Sequence, residues 1–203
     1  RLPPFVVPIR LNIGDTLVLT RANRPGTPEA VDPTTGSIVP ARIHCTLEAA
    51  FEHVHPGQRV WLDDGKIGGF VRRNHGETIE IDVTHAPPGG AKLREEKGIN
   101  FPDTDLGLGA ITDKDLVDLR EVVRYADIVA LSFLRTEQDV QRLQDEMRRL
   151  EAGQLGILLK VENALAFRNL PRILLAALNG PPIGIMVARG DLAVEVGFER
   201  LSE

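Results

Sequence analysis

Three short apolar runs alternate with amphipathic segments in the second half of the chain, and this pattern restricts the possible folds more than any other feature. The runs are Ile128–Phe133, Ile157–Val161 and Ile183–Ala188. Each is apolar except for one polar residue near its end in the first two, Ser132 and Lys160, and such runs are typical of strands buried on both faces of a parallel sheet. The sequence therefore predicts consecutive βα units, in an open doubly wound sheet or in a closed barrel. Three units alone are too few to close a (β/α)8 barrel.

The segments between these runs are predicted to be helices. Thr112 and Thr136 each precede a stretch with apolar residues on one face, and threonine is well suited to cap the first turn of a helix. A third segment, Ala164–Leu178, is also predicted to be mostly helical. The second half is therefore expected to alternate regularly between strand and helix.

Residues 1–97 show a different pattern. Short apolar or alternating runs are separated by clusters of Gly, Pro, Asn and Asp, which favours a small barrel or sandwich of strands. The stretch Ala22–Pro40 is rich in Pro, Gly and Thr and is predicted to be a long, partly mobile excursion of this β domain. We therefore expect a small all-β, barrel-like domain at 1–97 and an α/β domain of three βα units at 98–203. The predicted strands are Phe5–Ile9, Thr16–Thr20, Arg59–Leu62, Ile67–Val71 and Thr78–Val83.

Composition excludes several classes of protein. The net charge of -5 gives no basic surface of the kind that nucleic-acid-binding proteins carry. No apolar run is long enough for a membrane helix, and no signal peptide is visible. The single cysteine, Cys45, cannot form an internal disulfide and is compatible with a reducing cytoplasm. Because the first residue is Arg1, we expect a chain that begins partway through a longer protein or has been processed.

Polar side chains lie at the end of each of the three apolar runs or directly after it. Parallel α/β folds place their functional sites at the carboxyl ends of strands. Strand ends are also often polar simply because they are exposed, and for isolated residues this alternative stays open. It explains Lys160 and Glu162 poorly, because two charges on one side of an extended chain, directly after a buried strand, are costly unless something binds there. The polar residues are Ser132, Arg135, Lys160, Glu162, Asn163, Arg189, Gly190 and Asp191.

Five segments, in order along the chain, resemble the pyruvate kinase family. The resemblance implies a small β domain that acts as a lid, followed by part of a (β/α)8 TIM barrel. The remaining barrel strands, with the ligands of a possible K+ ion, would lie outside this chain, so we expect the chain alone to be inactive. The segments are VWLDDGKI (Val60–Ile67), KGINFP (Lys97–Pro102), IVALSFLR (Ile128–Arg135), LLKVEN (Leu158–Asn163) and IMVARGDLAV (Ile185–Val194).

The resemblance also implies a reaction, the glycolytic conversion of phosphoenolpyruvate and ADP to pyruvate and ATP. Glu162 and Asp191 match the family's ligands for Mg2+ or Mn2+, and two carboxylates suit such a hard cation. Lys160 matches the lysine that stabilises the transferring phosphoryl group. Gly190 and Asp191 begin a segment whose backbone N–H groups would bind the substrate carboxylate.

Two residues of the first half are implied to contact the nucleotide. Lys97 would bind its phosphates, and Asp64 is assigned more weakly to the metal–nucleotide complex. On the residues alone, a simple turn at Asp63 and Asp64 before Gly65 is the favoured interpretation, and Lys97 can equally be a solvated surface lysine. The β domain would exclude water from the site once nucleotide is bound.

Two other functions remain open. A metal-dependent aldolase or lyase of the phosphoenolpyruvate/pyruvate barrel group would also place carboxylates at strand ends, and a degenerate family member would bind ligand without turnover. The stretch His44–His55 does not resemble zinc-ligand spacing, so we predict no metal site there. We expect a cytoplasmic location, a homo-oligomeric parent protein, and neither nucleic acid nor membrane as a partner.

Overall fold

The structure, a computed structural model, describes residues 8–94 and 97–201. The chain divides into two compact units, Arg1–Gly107 and Leu108–Glu203. Most of the predicted strand Phe5–Ile9 and the residues 95–96 lie outside the described residues. None of the helices in the described part is long and apolar enough to cross a membrane.

The first unit consists mainly of short strands. Its main sheet has six strands in the order β10-β6-β7-β8-β2-β5, in which only the β2–β5 pair is parallel. Strands β1 and β9 pair separately, as do β3 and β4. The strands are β1 (Ile9–Leu11), β2 (Thr16–Thr20), β3 (Ala30–Val31), β4 (Ile38–Val39), β5 (Ala41–His44), β6 (Arg59–Leu62), β7 (Ile67–Asn74), β8 (Thr78–His85), β9 (Ala91–Leu93) and β10 (Ile99–Asn100).

The core of the first unit follows from strand alternation. In β8 the residues Ile79, Ile81 and Val83 are buried, while the residues between them are half-buried. Leu17 and Leu19 of the neighbouring strand β2, which lie opposite Ile81 and Ile79, are buried as well. The neighbouring strands thus contribute one apolar face each, and these faces form a common core.

The first unit is not all-β, which corrects the prediction. A short helix, α1 (Glu48–His53), lies within the histidine-containing stretch and buries Ala50 and Phe51 in the core. Six residues are too few to show a helical period in the sequence, so only the packing of these two side chains identifies the helix. The excursion at 22–40 contains the β3–β4 hairpin.

The division between the units falls after the predicted boundary at Lys97. Strand β10 pairs with β6, with Ile99 opposite Leu62. The backbone N–H of Asp63 also donates to Gly98 O at 3.1 Å. Residues just after Lys97 therefore add an edge strand to the sheet of the first unit.

The second unit contains three parallel strands, each followed by a helix. The sheet order is β11-β12-β13, with Leu131 opposite Leu159 and Val161 opposite Val187. This confirms the prediction of consecutive βα units. The elements are α2 (Asp113–Tyr125), β11 (Ile128–Leu131), α3 (Glu137–Arg149), β12 (Gly156–Val161), α4 (Ala164–Ala177), β13 (Ile183–Val187), α5 (Arg189–Val196) and α6 (Phe198–Leu201).

Both predicted threonine positions begin helices. Thr112 accepts a hydrogen bond from the Asp115 backbone N–H at 3.2 Å, and Asp115 accepts one from the Thr112 N–H at 2.7 Å. Before α3, Asp139 accepts from the backbone N–H of Thr136 at 3.0 Å. Side chains at the start of each helix therefore satisfy N–H groups that have no partner within the helix.

The three-stranded sheet has two unlike faces. Ile157, Leu159 and Val161 of β12 point to the helices and are buried. The alternate residues, among them Leu158 and Lys160, lie on the opposite face. A charged side chain at the end of β12 is therefore directed away from the helix layer.

Candidate active site

Lys160 and Glu162 form an ion pair at the carboxyl end of β12. Lys160 Nζ lies 2.5 Å from Glu162 Oε1, and the Glu162 side chain is only 2% exposed, against 25% for Lys160. Alternation in an extended chain places residues two apart on the same side, which explains why the two meet. A buried carboxylate needs such a partner, because an isolated charge in this environment would be strongly destabilising.

The neighbouring strand end completes the surroundings of this pair. Ser132 Oγ accepts a hydrogen bond from Lys160 Nζ at 3.0 Å, and the backbone N–H of Phe133 donates to Glu162 Oε2 at 2.6 Å. Both oxygens of Glu162 are therefore held, one by a cation and one by a backbone dipole. The site is preorganised by β11 and β12 together.

Phe133 adopts an uncommon backbone conformation. Its φ is 52°, in the left-handed region, although it is not glycine. This conformation costs about 1–3 kcal/mol in a non-glycine residue. The strand therefore ends at Leu131 and not at Phe133 as the apolar run predicted. The turn directs the Phe133 N–H at Glu162, a contact that the sequence pattern does not reveal.

The turn after Glu162 is fixed by Asn163. Its side-chain oxygen accepts from the Ala166 N–H at 2.8 Å, so it caps α4, and its amide nitrogen donates to Leu134 O at 2.9 Å. Asn163 is buried at 8% exposure. It thus ties the ends of β11 and β12 to the start of α4 and restricts the position of Glu162.

Asp191 and Gly190 lie in the first turn of α5, which follows β13 directly. Because β13 pairs in parallel with β12, these residues and Glu162 follow neighbouring strands at the same edge of the sheet. Asp191 is half-buried and Gly190 is exposed. A side chain added at Gly190 would meet no atom within 4 Å, which leaves its backbone open to approach by a ligand.

Glu195 connects α5 to the start of α4. Its Oε2 accepts a hydrogen bond from the Ala164 N–H at 2.8 Å. A carboxylate in this position also interacts favourably with the positive end of the helix dipole. This hydrogen bond joins α5, the helix that bears Asp191, to Ala164, which lies two residues after Glu162. No pattern in the sequence predicts this contact with Ala164.

The donor set at this edge is compatible with a divalent cation. Among the residues that the structure describes, no group of three or more His, Cys, Asp and Glu side chains is arranged to hold a metal. A hard cation such as Mg2+ needs only one or two carboxylates when substrate oxygens and water fill its other positions. The described partners of Glu162 occupy two of about four acceptor positions on its oxygens, so lone pairs remain that could bind a metal.

The candidate residues of the first unit form a separate arrangement. Lys97 Nζ lies 2.8 Å from Asp63 Oδ1, and Lys66 Nζ lies 3.1 Å from Asp63 Oδ2. Asp63 is buried, whereas Asp64 is exposed. The two aspartates have φ values of 50° and 55°, so Asp64 does belong to a turn.

These ion pairs shift two pKa values in opposite directions. The hydrogen bond from Lys97 holds the pKa of Asp63 below its usual range. The same bond raises the pKa of Lys97. Each partner thus favours the charged form of the other. The residue that positions Lys97 is therefore Asp63, while Asp64, predicted to contact the metal–nucleotide complex, is its exposed neighbour.

Arg135 has a structural role in its surroundings. Its guanidinium donates to Leu108 O at 2.6 Å and its backbone N–H donates to Asp139 at 2.8 Å. Its carbonyl oxygen accepts from Asn169 at 2.9 Å. These contacts join three segments of the second unit behind the strand end.

Residues 28–203 match the family described as pyruvate kinase, barrel domain. A pyruvate kinase of Geobacillus stearothermophilus is 34% identical over 194 residues, which are 95% of this chain and 30% of that protein. One of Corynebacterium efficiens is 33% identical over 161 residues, covering 79% and 32%. One of Chlamydia muridarum is 29% identical over 199 residues, covering 98% and 37%. The chain thus spans between 30% and 37% of the length of these relatives.

Proposed function

This chain belongs to the pyruvate kinase family, and we propose that the protein containing it transfers the phosphoryl group of phosphoenolpyruvate to ADP, giving pyruvate and ATP. The observation that supports this most is the Lys160–Glu162 ion pair at a strand end, in which the carboxylate is buried and the two charged atoms are 2.5 Å apart. Because the chain spans only part of the length of its relatives, we assign the activity to the whole protein.

Lys160 is suited to bind the phosphoryl group in transit. An ammonium has three N–H donors, and Ser132 and Glu162 use two of them. The third would then be available to a phosphoryl oxygen. Because the other two contacts hold the ammonium in place, little reorganisation is needed when negative charge moves onto that oxygen.

Glu162 and Asp191 would hold the divalent cation, Mg2+ or Mn2+. When bound, such a cation neutralises negative charge on the reacting oxygens. The chain's own contribution is to position the two carboxylates, through Phe133 for Glu162 and through α5 for Asp191. Gly190 and Asp191 would also offer backbone N–H groups to the carboxylate of the substrate.

The reaction needs little covalent chemistry from the protein. The bond between phosphorus and the enol oxygen breaks, and a bond from phosphorus to an oxygen of the ADP β-phosphate forms. The enolate left behind takes up a proton at carbon and becomes pyruvate. Lys160 would bind the transferring phosphoryl group, while the two carboxylates would hold the divalent cation.

Lys97 would contact the nucleotide phosphates from the first unit, with Asp64 assigned more weakly to the metal–nucleotide complex. The Asp63 carboxylate supports this assignment of Lys97, because it fixes the ammonium at 2.8 Å. We further propose a cytoplasmic, homo-oligomeric parent protein. A K+ ion, if used, would be bound by residues outside this chain.

The test is a coupled assay of pyruvate formation by the full-length protein, with activity titrated against Mg2+. Glu162→Gln should lower the rate and raise the Mg2+ requirement sharply. Glu121→Gln, an exposed residue of α2, is the matched control and should leave both unchanged. Metal binding without phosphoryl exchange in the wild-type protein would instead support a binding-only role, and cleavage of a carbon–carbon bond would support the lyase.

A further inference from the structure

One cavity of the first unit is lined by two segments that lie outside the five family-like motifs. It has a volume of about 660 Å³, and its lining includes residues 23–26 and 44–46 together with Arg94 and Lys97. Small-molecule sites usually have volumes of about 300–1,000 Å³. The excursion at 22–40 and the start of the stretch at 44–55 therefore meet around a space of suitable size.

The wall formed by residues 23–26 is packed closely against the sheet. A side chain at Gly26 would come within 2.9 Å of Ile9 Cδ1 and 3.2 Å of Arg42 O. Thr27 and Arg42 exchange two backbone hydrogen bonds of 2.9 Å each. The loop is thus held against β5, and the cavity is preformed.

The charged residues of the lining, Arg24, Arg94 and Lys97, are all cationic. Within residues 8–94 and 97–201, neither Arg24 nor Arg94 has an ion pair or a side-chain hydrogen bond. The charge of Arg94 acts to lower the pKa of Lys97, against the larger opposite effect of Asp63. Like charges held near one another are unfavourable, and an anion between them would relieve the repulsion.

The rest of the lining is apolar. Leu19, Leu62 and Leu93 are buried and belong to the core of the unit, with Ile43 and Ile99 packed against it. An apolar floor with a few cationic groups at one side is the usual arrangement for an organic anion. Guanidinium groups bind phosphate oxygens through two parallel hydrogen bonds.

We propose that this cavity is a second ligand site, which binds a small organic phosphate through Arg24 and Arg94 with its apolar part on the leucine and isoleucine floor. The site goes beyond the proposed phosphoryl transfer and uses neither Lys160 nor Glu162. Because Lys97 lines the same cavity and is proposed to contact nucleotide, the experiment must separate the two ligands.

The experiment titrates the chain, labelled at its Ile and Leu methyl groups, with phenyl phosphate and follows methyl chemical shifts by NMR. Methyl groups of the cavity floor, such as those of Leu19 and Leu93, should shift. Phenol and inorganic phosphate, each carrying half of the ligand's chemistry, should bind at least about tenfold more weakly. Equal binding of phenol would show a purely apolar pocket and would overturn the proposal.

Variants locate the anion. The double variant Arg24→Ala/Arg94→Ala should weaken phenyl phosphate at least about tenfold, because it removes both charge-assisted contacts. Arg73→Ala is the matched control, an exposed arginine of the same unit, and should keep the affinity. Unchanged binding in the double variant, or displacement of phenyl phosphate from the same methyl groups by ADP, would show that no separate phosphate site exists. Neither result would change the proposed roles of Lys160 and Glu162 in phosphoryl transfer.

Discussion

Lys160→Met separates two roles of one side chain, in catalysis and in folding. Methionine keeps most of the apolar stem and removes the ammonium, so Glu162 loses its charged partner. At a separation of 2.5 Å, Coulomb's law with an effective dielectric constant of about 20 gives an attraction of about 7 kcal/mol. Desolvation of both charges offsets much of this attraction.

The expected loss of stability is about 3 kcal/mol, at the lower end of the usual cost of removing one partner of a buried pair. The lower end applies because Lys160 is 25% exposed and only Glu162 is deeply buried. The double variant Lys160→Met/Glu162→Gln should recover most of this loss, because no unpaired charge remains. In the single variant, Mg2+ at about a hundred times its dissociation constant should raise the free energy of unfolding by about 2.7 kcal/mol.

Turnover and metal binding should respond differently. In the full-length protein, Lys160→Met should lower kcat by about a hundredfold or more, because preorganised charge acts on the transition state more than on the ground state. Direct binding of Mn2+, followed by electron paramagnetic resonance, should be largely retained, because both carboxylates remain. Stability of the chain is measured by denaturation. Circular dichroism reports mainly on the helices of the second unit, and the single tryptophan, Trp61, on the first.

Two results would refute this reasoning. Near-normal kinase turnover in Lys160→Met would remove Lys160 from phosphoryl transfer and favour the lyase or the binding-only alternative. An unchanged unfolding transition of the second unit would show that the ion pair between Lys160 and Glu162 does not contribute to the stability of that unit.

Three further predictions concern other parts of the chain. Asp63→Asn should destabilise the first unit at neutral pH, and the difference from wild type should shrink as pH falls through the lowered pKa of Asp63, where its stabilisation is lost. Denaturation at several pH values tests this, and a difference from wild type that stays the same at low pH would contradict it. Gly68→Ala should cost about 1–3 kcal/mol, because the new methyl group would lie 2.2 Å from the Trp61 ring; an unchanged melting temperature would contradict this. Glu195→Ala should weaken Mn2+ binding and be partly rescued by Glu195→Gln, whose amide oxygen can still accept the bond at α4; equal affinities in wild type and Glu195→Ala would limit Glu195 to a structural role.

Local patterns in the sequence were sufficient for much of the second unit. The apolar runs predicted three strands, and the threonines predicted where α2 and α3 begin. Alternation alone placed Lys160 and Glu162 on one side of the extended chain at the end of β12, and the structure brings them into contact. These features depend on residues close together in the chain, so periodicity and capping chemistry are enough to predict them.

Contacts between distant segments were decided by tertiary structure. The Phe133 N–H donates a hydrogen bond to Glu162, and Glu195 accepts one from the Ala164 N–H. Lys97 forms an ion pair with Asp63. None of these pairs follows from spacing, because each depends on which strand ends and turns are brought together in space. Helix α1 belongs to the same group, since only the core that receives Phe51 distinguishes it from a loop. Short sequence motifs thus identify the candidate residues, whereas the packing of the folded chain determines the partners that fix their positions.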